Sequence, residues 1–231
     1  MLLTLPIREV LPATPRARIA RLDLSSHAFD YAPGQAVSIA NHGQNTRRSY
    51  SIAATPEDAR RDGWLELLVG VNAEGSPRPH LTLETGQFVD VEGPLGSFTF
   101  PATPAEQRFV FIAGGTGIAP LRAMMRRALS VPHLNIGLFY SVRTPDEFAY
   151  EQELRGLAQA GLIELRQTVT RATDTEWTGP RGRLKREALE ELVHDAATLC
   201  FICGPPALVD EMPKILADLG IPRERIRSEE W

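Results

Sequence analysis

The sequence predicts a two-domain protein, in which an antiparallel β-barrel is followed by an α/β domain built on a parallel sheet. Short strand-like runs separated by turns fill about the first hundred residues, which is typical of a barrel or a sandwich. From residue 109 onward strands alternate with helices, the order that produces parallel β-α-β units. Residues 101–104 contain two prolines and little apolar content, so we place the domains at 1–103 and 104–231.

The elements of both predicted domains follow from local patterns. In the first domain, residues 18–24 alternate apolar and charged positions towards their end, and turns at residues 33–34 and 84–86 separate the strand-like runs. The further strands of the first domain are expected at 64–71 and 88–92. In the second domain, we expect strands at 109–113, 135–140, 163–169 and 199–203, and helices at 121–129, 147–160, 185–193 and 207–219.

Composition excludes several classes of function. The formal net charge is −4, and each predicted domain carries −2, with 9 basic and 11 acidic residues in the first and 16 and 18 in the second. This balance argues against a protein that binds nucleic acid by neutralising phosphates. No apolar run approaches the roughly 20 residues that span a bilayer. Pro6, Arg8 and Glu9 interrupt the region where a signal peptide is apolar, so we expect a cytoplasmic protein.

The sequence gives no indication of a metal site. Cys200 and Cys203 lie in an apolar run that resembles a buried strand, and residues three apart on a strand point to opposite faces. We therefore expect unlinked thiols. The five histidines show none of the spacings that metal sites use, and no further cysteines are present.

A glycine-rich turn, GGTGIAP at residues 114–120, follows a predicted buried strand and opens a predicted helix. Glycines let backbone amides approach a pyrophosphate, and a helix N-terminus favours negative charge. Thr116 adds a hydroxyl donor, and Pro120 suits the first helical turn. The spacing differs from the G-x-G-x-x-G fingerprint, so a tight turn between strand and helix remains an alternative.

A second motif, RRSYSIA at residues 47–53, lies in the first domain. Alternation along a strand puts Arg48 and Tyr50 on the same face, where an arginine can neutralise a phosphate and an aromatic ring can pack on a flavin. Ser51 can donate a hydrogen bond beside them. Alternation of charged and aromatic residues at the edge of a barrel is an equally simple reading.

Together these motifs identify a family. Five landmarks occur in order along the chain: PGQ at 33–35, RSYS at 48–51, GPLGSF at 93–98, GGTGIAP at 114–120 and CGPP at 203–206. In this order the sequence resembles the ferredoxin–NADP reductase superfamily over nearly its whole length. The resemblance implies an FAD-binding barrel followed by an NAD(P)-binding α/β domain, and an oxidoreductase activity.

The resemblance also implies roles for individual residues. Arg48 would contact the flavin nucleotide phosphate, Tyr50 would pack on the isoalloxazine, and Ser51 would lie near the flavin N5. Cys203 would lie beside the nicotinamide. The remaining residues implied for the nicotinamide nucleotide are Gly114, Gly115, Thr116, Gly117, Gly204 and Pro205.

The C-terminal residues also match the resemblance. Many members end with an acidic residue two positions before a terminal aromatic, and Glu229 and Trp231 occupy those positions here. The resemblance implies that Trp231 stacks on the flavin until the nicotinamide displaces it. A terminal tryptophan that packs at the surface is the alternative.

One position departs from the family pattern. The family usually has G-x-x-S/T ahead of a short helix that binds the FAD pyrophosphate, whereas the equivalent stretch here has Arg78 at the hydroxyl position. Arginine is a good phosphate ligand, but the flanking Pro77 and Pro79 remove amide donors. FMN, or a flavin held loosely as a substrate, is the alternative to bound FAD.

The choice of nicotinamide nucleotide depends on the ribose 2′-phosphate. Arg143, Arg171 and Arg183 match arginines that read this phosphate in bacterial NADPH-using members, which favours NADP over NAD. NAD-using relatives also carry some of them, so NADH stays open.

The resemblance therefore implies hydride transfer from NADPH to bound FAD, and then electron transfer to a separate acceptor. The length and the cysteine content leave no room for a fused cluster or globin domain, so the expected acceptor is a ferredoxin, a flavodoxin or an oxygenase component. The alternatives are a free-flavin or small-molecule reductase without a protein partner, and an NADH-dependent electron-transfer subunit of a larger complex.

Overall fold

The computed structural model describes residues 1–25, 27–72, 81–171 and 177–230. Their strands form two sheets, a six-stranded sheet from the strands up to residue 95 and a five-stranded sheet from the strands after residue 107. The first sheet is antiparallel and the second is parallel. The predicted fold class is therefore confirmed.

The first sheet closes into a barrel. Its strands are β1 (Leu2–Thr14), β2 (Ala17–Asp23), β3 (Ala36–Asn41), β4 (Arg48–Ser51), β5 (Trp64–Gly70) and β6 (Phe88–Leu95). Their order is β4-β3-β6-β1-β2-β5. An antiparallel bridge between Ile52 and Leu67 joins the two ends of this order, and helix α1 (Pro56–Asp62) connects them along the chain. The barrel interior is filled by buried aliphatic side chains, among them Leu5, Leu22, Val37, Ile39, Ile52, Leu67 and Val91.

The second sheet carries helices on both faces. Its elements are β7 (Arg108–Gly114), α2 (Ile118–Ala128), β8 (Asn135–Val142), α3 (Glu151–Gln159), β9 (Glu164–Val169), α4 (Arg186–Glu190), β10 (Leu199–Gly204), α5 (Pro206–Asp218) and β11 (Ile226–Glu230). The strand order is β11-β10-β7-β8-β9. Strand β10 is buried along its whole length, which explains its continuous apolar sequence.

The two cysteines of β10 pack into different cores. Cys203 belongs to the apolar cluster with Phe111 and Leu121, whereas Cys200 belongs to the cluster with Met212 and Leu216. Both thiols are free and buried. The predicted opposite orientation of the two side chains is confirmed.

One apolar core continues across the boundary between the sheets. Phe98 and Phe100, which follow β6, pack against Phe201 of β10 at ring-centroid distances of 6.0 and 5.7 Å. Gly34 lies at the same boundary with a φ of +103°, and a Cβ there would come within 2.4 Å of the carbonyl oxygen of Phe98. The boundary is therefore packed as tightly as a domain interior.

Several elements differ from the predictions: strand β3 and helix α1 were not predicted, and α4 is shorter than the predicted helix 185–193. Strand β1 and strand β11 were not predicted, and both pair along a neighbouring strand, β1 with β2 and β6, and β11 with β10. The predicted helix 147–160 is shorter, because Tyr150 has a left-handed backbone with a φ of +58° and α3 begins only after it.

None of the helices in the described ranges is both long and apolar enough to cross a membrane.

Candidate functional site

Strand β4 presents the predicted flavin motif at the rim of the barrel. Arg48 lies opposite Ile39 and Tyr50 opposite Val37, so the two side chains share one face of the sheet, as the alternation predicts. Arg48 is exposed, whereas Tyr50 and Ser51 are half-buried. The exposed position of Arg48 at the rim makes its guanidinium accessible to a ligand.

Two neighbouring arginines differ in their partners. The Arg47 side chain donates to the Glu92 carboxylate at 3.2 Å. Within the described part of the chain, the Arg48 side chain forms neither a hydrogen bond nor an ion pair. An exposed guanidinium without a protein partner fits an anionic group such as a nucleotide phosphate.

The glycine-rich turn joins β7 to α2. After Gly114, residues Gly115–Gly117 form a single 3-10 turn, and Gly115 has a φ of +55°. A Cβ at Gly117 would lie 2.3 Å from the carbonyl oxygen of Cys203. From the sequence we expected these glycines to let backbone amides approach a pyrophosphate. At Gly117, however, the atoms that a side chain would strike belong to the backbone of β10.

The N-terminus of α2 is nevertheless suited to an anion. No side chain caps it, and the Thr116 hydroxyl, which is half-buried, makes no hydrogen bond to another described residue. Amide groups at the start of a helix carry partial positive charge and point towards a bound anion. The turn can therefore hold a pyrophosphate through these donors.

Tyr140 fixes the position of this turn, a role that the sequence did not reveal. Its hydroxyl donates to the carbonyl oxygen of Gly115 at 3.1 Å and accepts from the amide of Ala149 at 3.2 Å. Burial raises the pKa of the phenol above its ordinary value, so it stays protonated and able to donate. The sequence carries no signal for this contact, because the partner is the backbone carbonyl of a residue 25 positions away.

The CGPP motif packs directly against the glycine turn. A Cβ at Gly114 would lie 2.7 Å from Cδ of Pro205, and a Cβ at Gly204 would lie 3.1 Å from Cα of Gly114. The ends of β7 and β10 are adjacent in the sheet, with Cys203 in register with Ala113. The two motifs of the second domain thus form one surface at the carboxyl edge of the sheet, where nucleotides bind in such folds.

Cys203 and Glu229 are partners across β10 and β11. Burial, and secondarily the Glu229 carboxylate, raise the pKa of the Cys203 thiol above its usual range. Burial also raises the pKa of Glu229. The thiol is therefore protonated at neutral pH and unsuited to act as a nucleophile.

The barrel also comes close to the carboxyl edge of the parallel sheet. Ala36 of β3 is in register with both Ser51 and Leu95. Gly96, which follows Leu95, lies close to β11, since a Cβ at Gly96 would be 3.9 Å from Oε1 of Glu229. Gly96 of the barrel and Glu229 of β11 thus lie close together across the boundary between the two sheets, and β3 connects this point to the flavin motif on β4.

Three predicted arginines lie beyond the carboxyl ends of β8 and β9. The amide of Arg171 donates to the carbonyl oxygen of Arg143 at 2.7 Å. The amide of Gly182 donates to the carbonyl oxygen of Val169 at 2.8 Å, and this bond brings the adjacent Arg183 to the same group of loops. All three arginines are exposed, and none forms an ion pair with a described carboxylate. Exposed, unpaired guanidinium groups at this edge are suited to a phosphate.

Two predicted site residues, Arg78 and Trp231, lie outside the described residues. Within those residues, no cluster of three or more histidine, cysteine, aspartate or glutamate side chains is arranged to hold a metal ion.

Comparison with known proteins identifies both halves of the chain. Residues 6–100 match the family described as "Oxidoreductase FAD-binding domain", and residues 111–214 match the family described as "Oxidoreductase NAD-binding domain". The FAD and NAD(P) cofactors implied by the resemblance agree with these families.

Individual relatives agree with this assignment. Ferredoxin–NADP reductase B of Sorangium cellulosum is 31% identical over 97% of this chain and 94% of its own. NADH-cytochrome b5 reductase 1 of Cryptococcus neoformans is 28% identical over 88% of this chain and 73% of its own. The crystal structure of an Amycolatopsis cytochrome P450 reductase superposes with a TM-score of 0.83, at 27% identity over 99% of this chain and 70% of its own. The chain therefore belongs to the ferredoxin–NADP reductase superfamily of oxidoreductases.

Proposed function

We propose that this chain transfers a hydride from NADPH to bound FAD and passes the electrons on to a separate acceptor protein. The observation that carries this proposal is the approach of Gly96, which follows barrel strand β6, to Glu229 of β11 across the barrel–sheet boundary, with β3 pairing both to β6 and to the flavin motif on β4. When bound, NADPH supplies a hydride from its nicotinamide C4 and the flavin accepts it at N5. The protein contributes phosphate binding and orientation.

On this proposal the barrel residues hold the flavin. Arg48 binds its phosphate, the Tyr50 ring packs against the isoalloxazine and Ser51 donates a hydrogen bond near N5. The exposed, unpartnered guanidinium of Arg48 supports the first of these roles. Arg78 and Trp231 keep their proposed roles as a second phosphate ligand and a stacking ring.

The second domain holds the nicotinamide nucleotide. The turn residues Gly115 and Thr116 and the first amides of α2 bind the pyrophosphate. Cys203 lies beside the nicotinamide with a neutral thiol, and Glu229, its partner across β10 and β11, lies next to it. The proposed division at residues 103 and 104 lies between the last barrel strand and β7.

Replacing Arg143 and Arg171 together with alanine is expected to raise the KM for NADPH by about tenfold or more, because each lost charge-assisted hydrogen bond costs about 1.5–3 kcal/mol. The KM for NADH, which lacks the 2′-phosphate, should change far less. Steady-state kinetics with both nucleotides measure the difference. Arg166→Ala is a matched control, since Arg166 already pairs with Glu191 at 3.1 Å. Equal effects on NADPH and NADH would show that these arginines do not read the 2′-phosphate.

A separate acceptor is favoured by the relatives, which include a reductase named for ferredoxin and another named for a cytochrome P450. We propose that the acceptor is a ferredoxin, a flavodoxin or an oxygenase component in the cytoplasm.

The test compares electron transfer from NADPH to a purified ferredoxin and to free FAD, at equal acceptor concentrations. Much faster reduction of the ferredoxin supports the proposal. Faster turnover of free FAD would instead identify a free-flavin reductase, the second candidate.

A further inference from the structure

A buried group of charges connects the barrel to helix α2. The side chain of Arg122 is only 12% exposed and donates to three groups. Its Nη1 lies 2.7 Å from the carbonyl oxygen of Ala53 and 3.0 Å from Oε1 of Glu66, and its Nε lies 2.8 Å from Oε2 of Glu153. One guanidinium thus joins the barrel to two helices of the second domain.

The carbonyl that Arg122 binds belongs to the flavin strand, the segment 48–53 that comprises β4 and the two residues after it. Ala53 lies two residues after Ser51, and its amide donates to the carbonyl oxygen of Glu66 at 2.9 Å. Both backbone polar groups of Ala53 are therefore held, one by β5 and the other by Arg122. The Arg122 side chain thus ties the end of the flavin motif to α2.

Arg122 also lies close to the nucleotide turn, Gly115–Gly117. Helix α2 begins at Ile118, directly after the turn, so Arg122 lies about one helical turn further along. A displacement of the turn relative to the flavin strand must therefore strain the bond between Arg122 and Ala53.

The guanidinium itself has little freedom. It lies 4.3 Å from the centroid of the Tyr150 ring. Glu66, which is 4% exposed, is held from the other side by Nε of Arg21 at 2.9 Å. Buried charges with several partners in fixed geometry resist rearrangement.

We propose that Arg122 is a positioning residue for hydride transfer, which sets the relative position of the flavin strand and the nucleotide turn through the carbonyl of Ala53. The inference rests on the proposed function. It predicts an effect on the rate at saturating nucleotide, because a misplacement of about 1 Å between reacting groups can cost about a hundredfold in rate. Nucleotide affinity should change little, since among the described residues the Arg122 side chain forms no hydrogen bond or ion pair with the turn or with the proposed 2′-phosphate arginines.

Arg126 provides a matched control on the same helix and at the same boundary. It binds both carboxylate oxygens of Asp58 at 2.8 and 3.0 Å and Oε1 of Glu153 at 2.8 Å. Its barrel partner lies on α1 and not on the flavin strand. Asp58 also keeps Arg61 at 3.0 Å when Arg126 is replaced.

The experiment measures flavin reduction by NADPH in anaerobic stopped-flow, with FAD-loaded wild type, Arg122→Gln, Arg122→Lys and Arg126→Gln. The rate constant at saturating NADPH should fall by about tenfold or more in Arg122→Gln and by an intermediate factor in Arg122→Lys. It should stay within about twofold of wild type in Arg126→Gln, and the Kd for NADPH should stay within about threefold in all variants.

A rate in Arg122→Gln within about twofold of wild type overturns the inference, and so does an equal loss in Arg126→Gln. If Arg122→Gln yields no folded flavoprotein, Arg122→Lys decides, because the single ammonium nitrogen of lysine cannot occupy both the Nε and the Nη1 positions from which Arg122 donates. A wild-type rate in Arg122→Lys then overturns the inference. A wild-type protein that NADPH does not reduce contradicts the proposed function itself, which separates the two failures.

Discussion

Replacing Gly117 with alanine is expected to destabilise the protein by about 1–3 kcal/mol, the usual cost of forcing an atom into a packed site. The new Cβ would lie 2.3 Å from the carbonyl oxygen of Cys203, 2.6 Å from its carbonyl carbon and 2.9 Å from the amide nitrogen of Gly204. These are backbone atoms at the carboxyl end of strand β10, so they cannot rotate away. The turn itself must move, and nucleotide binding should weaken with it.

Thermal denaturation measures the loss, at about 2–4 °C in Tm for each kcal/mol in a chain of this size. Gly156→Ala is the matched control, because Gly156 lies inside α3 and a Cβ there meets nothing within 4 Å. That substitution should stabilise the protein by about 0.5–1 kcal/mol. Equal melting temperatures for Gly117→Ala and wild type would refute the packing explanation of this glycine.

Replacing Arg48 with alanine is expected to weaken FAD binding by about tenfold to a hundredfold, the equivalent of losing a hydrogen bond to a charged group worth about 1.5–3 kcal/mol. The folded apoprotein should be unaffected, because the exposed Arg48 side chain has no ion pair among the described residues to lose. Titration of the apoprotein with FAD, followed by flavin fluorescence, gives the affinity.

Arg47→Ala is the control for Arg48, since it removes the same charge from the adjacent residue. Arg47 already donates to Glu92, so its guanidinium is not available to a ligand in the same way. We expect a much smaller change in FAD affinity for this variant. Equal weakening by both substitutions would mean that general positive charge, and not the position of Arg48, attracts the flavin.

The elements that the sequence predicted are those with a strong local signal. The buried β10 is a continuous apolar run, and β2 alternates inward and outward residues. Strand β1 contains Pro6 and Pro12, which count against a strand in local reasoning, yet it pairs with neighbours on both sides. Strand β11, with the sequence IRSEE, has no apolar pattern, and only its pairing with β10 makes it a strand. In both cases, pairing with neighbouring strands rather than the local sequence makes the segment a strand.

The residues of the candidate site likewise divide into those that the sequence predicted and those that it did not. Glycines and arginines in short motifs could be found because their spacing along the chain carries the information. Tyr140 and Arg122 could not, because their partners are carbonyl oxygens at Gly115 and Ala53, 25 and 69 residues away in sequence. A contact with a backbone atom leaves no constraint on the identity of the partner residue. Only the folded chain reveals such contacts.

We propose that a nucleotide bound at the Gly115–Gly117 turn delivers its hydride to a flavin bound beside strand β4. Anaerobic addition of NADPH to the FAD-loaded protein, followed by visible absorption, tests this most directly, with NADH as the comparison. We predict rapid bleaching of the flavin absorbance by NADPH and slower bleaching by NADH. A protein that takes up no FAD, or that holds FAD but is bleached by neither nucleotide, would contradict the account.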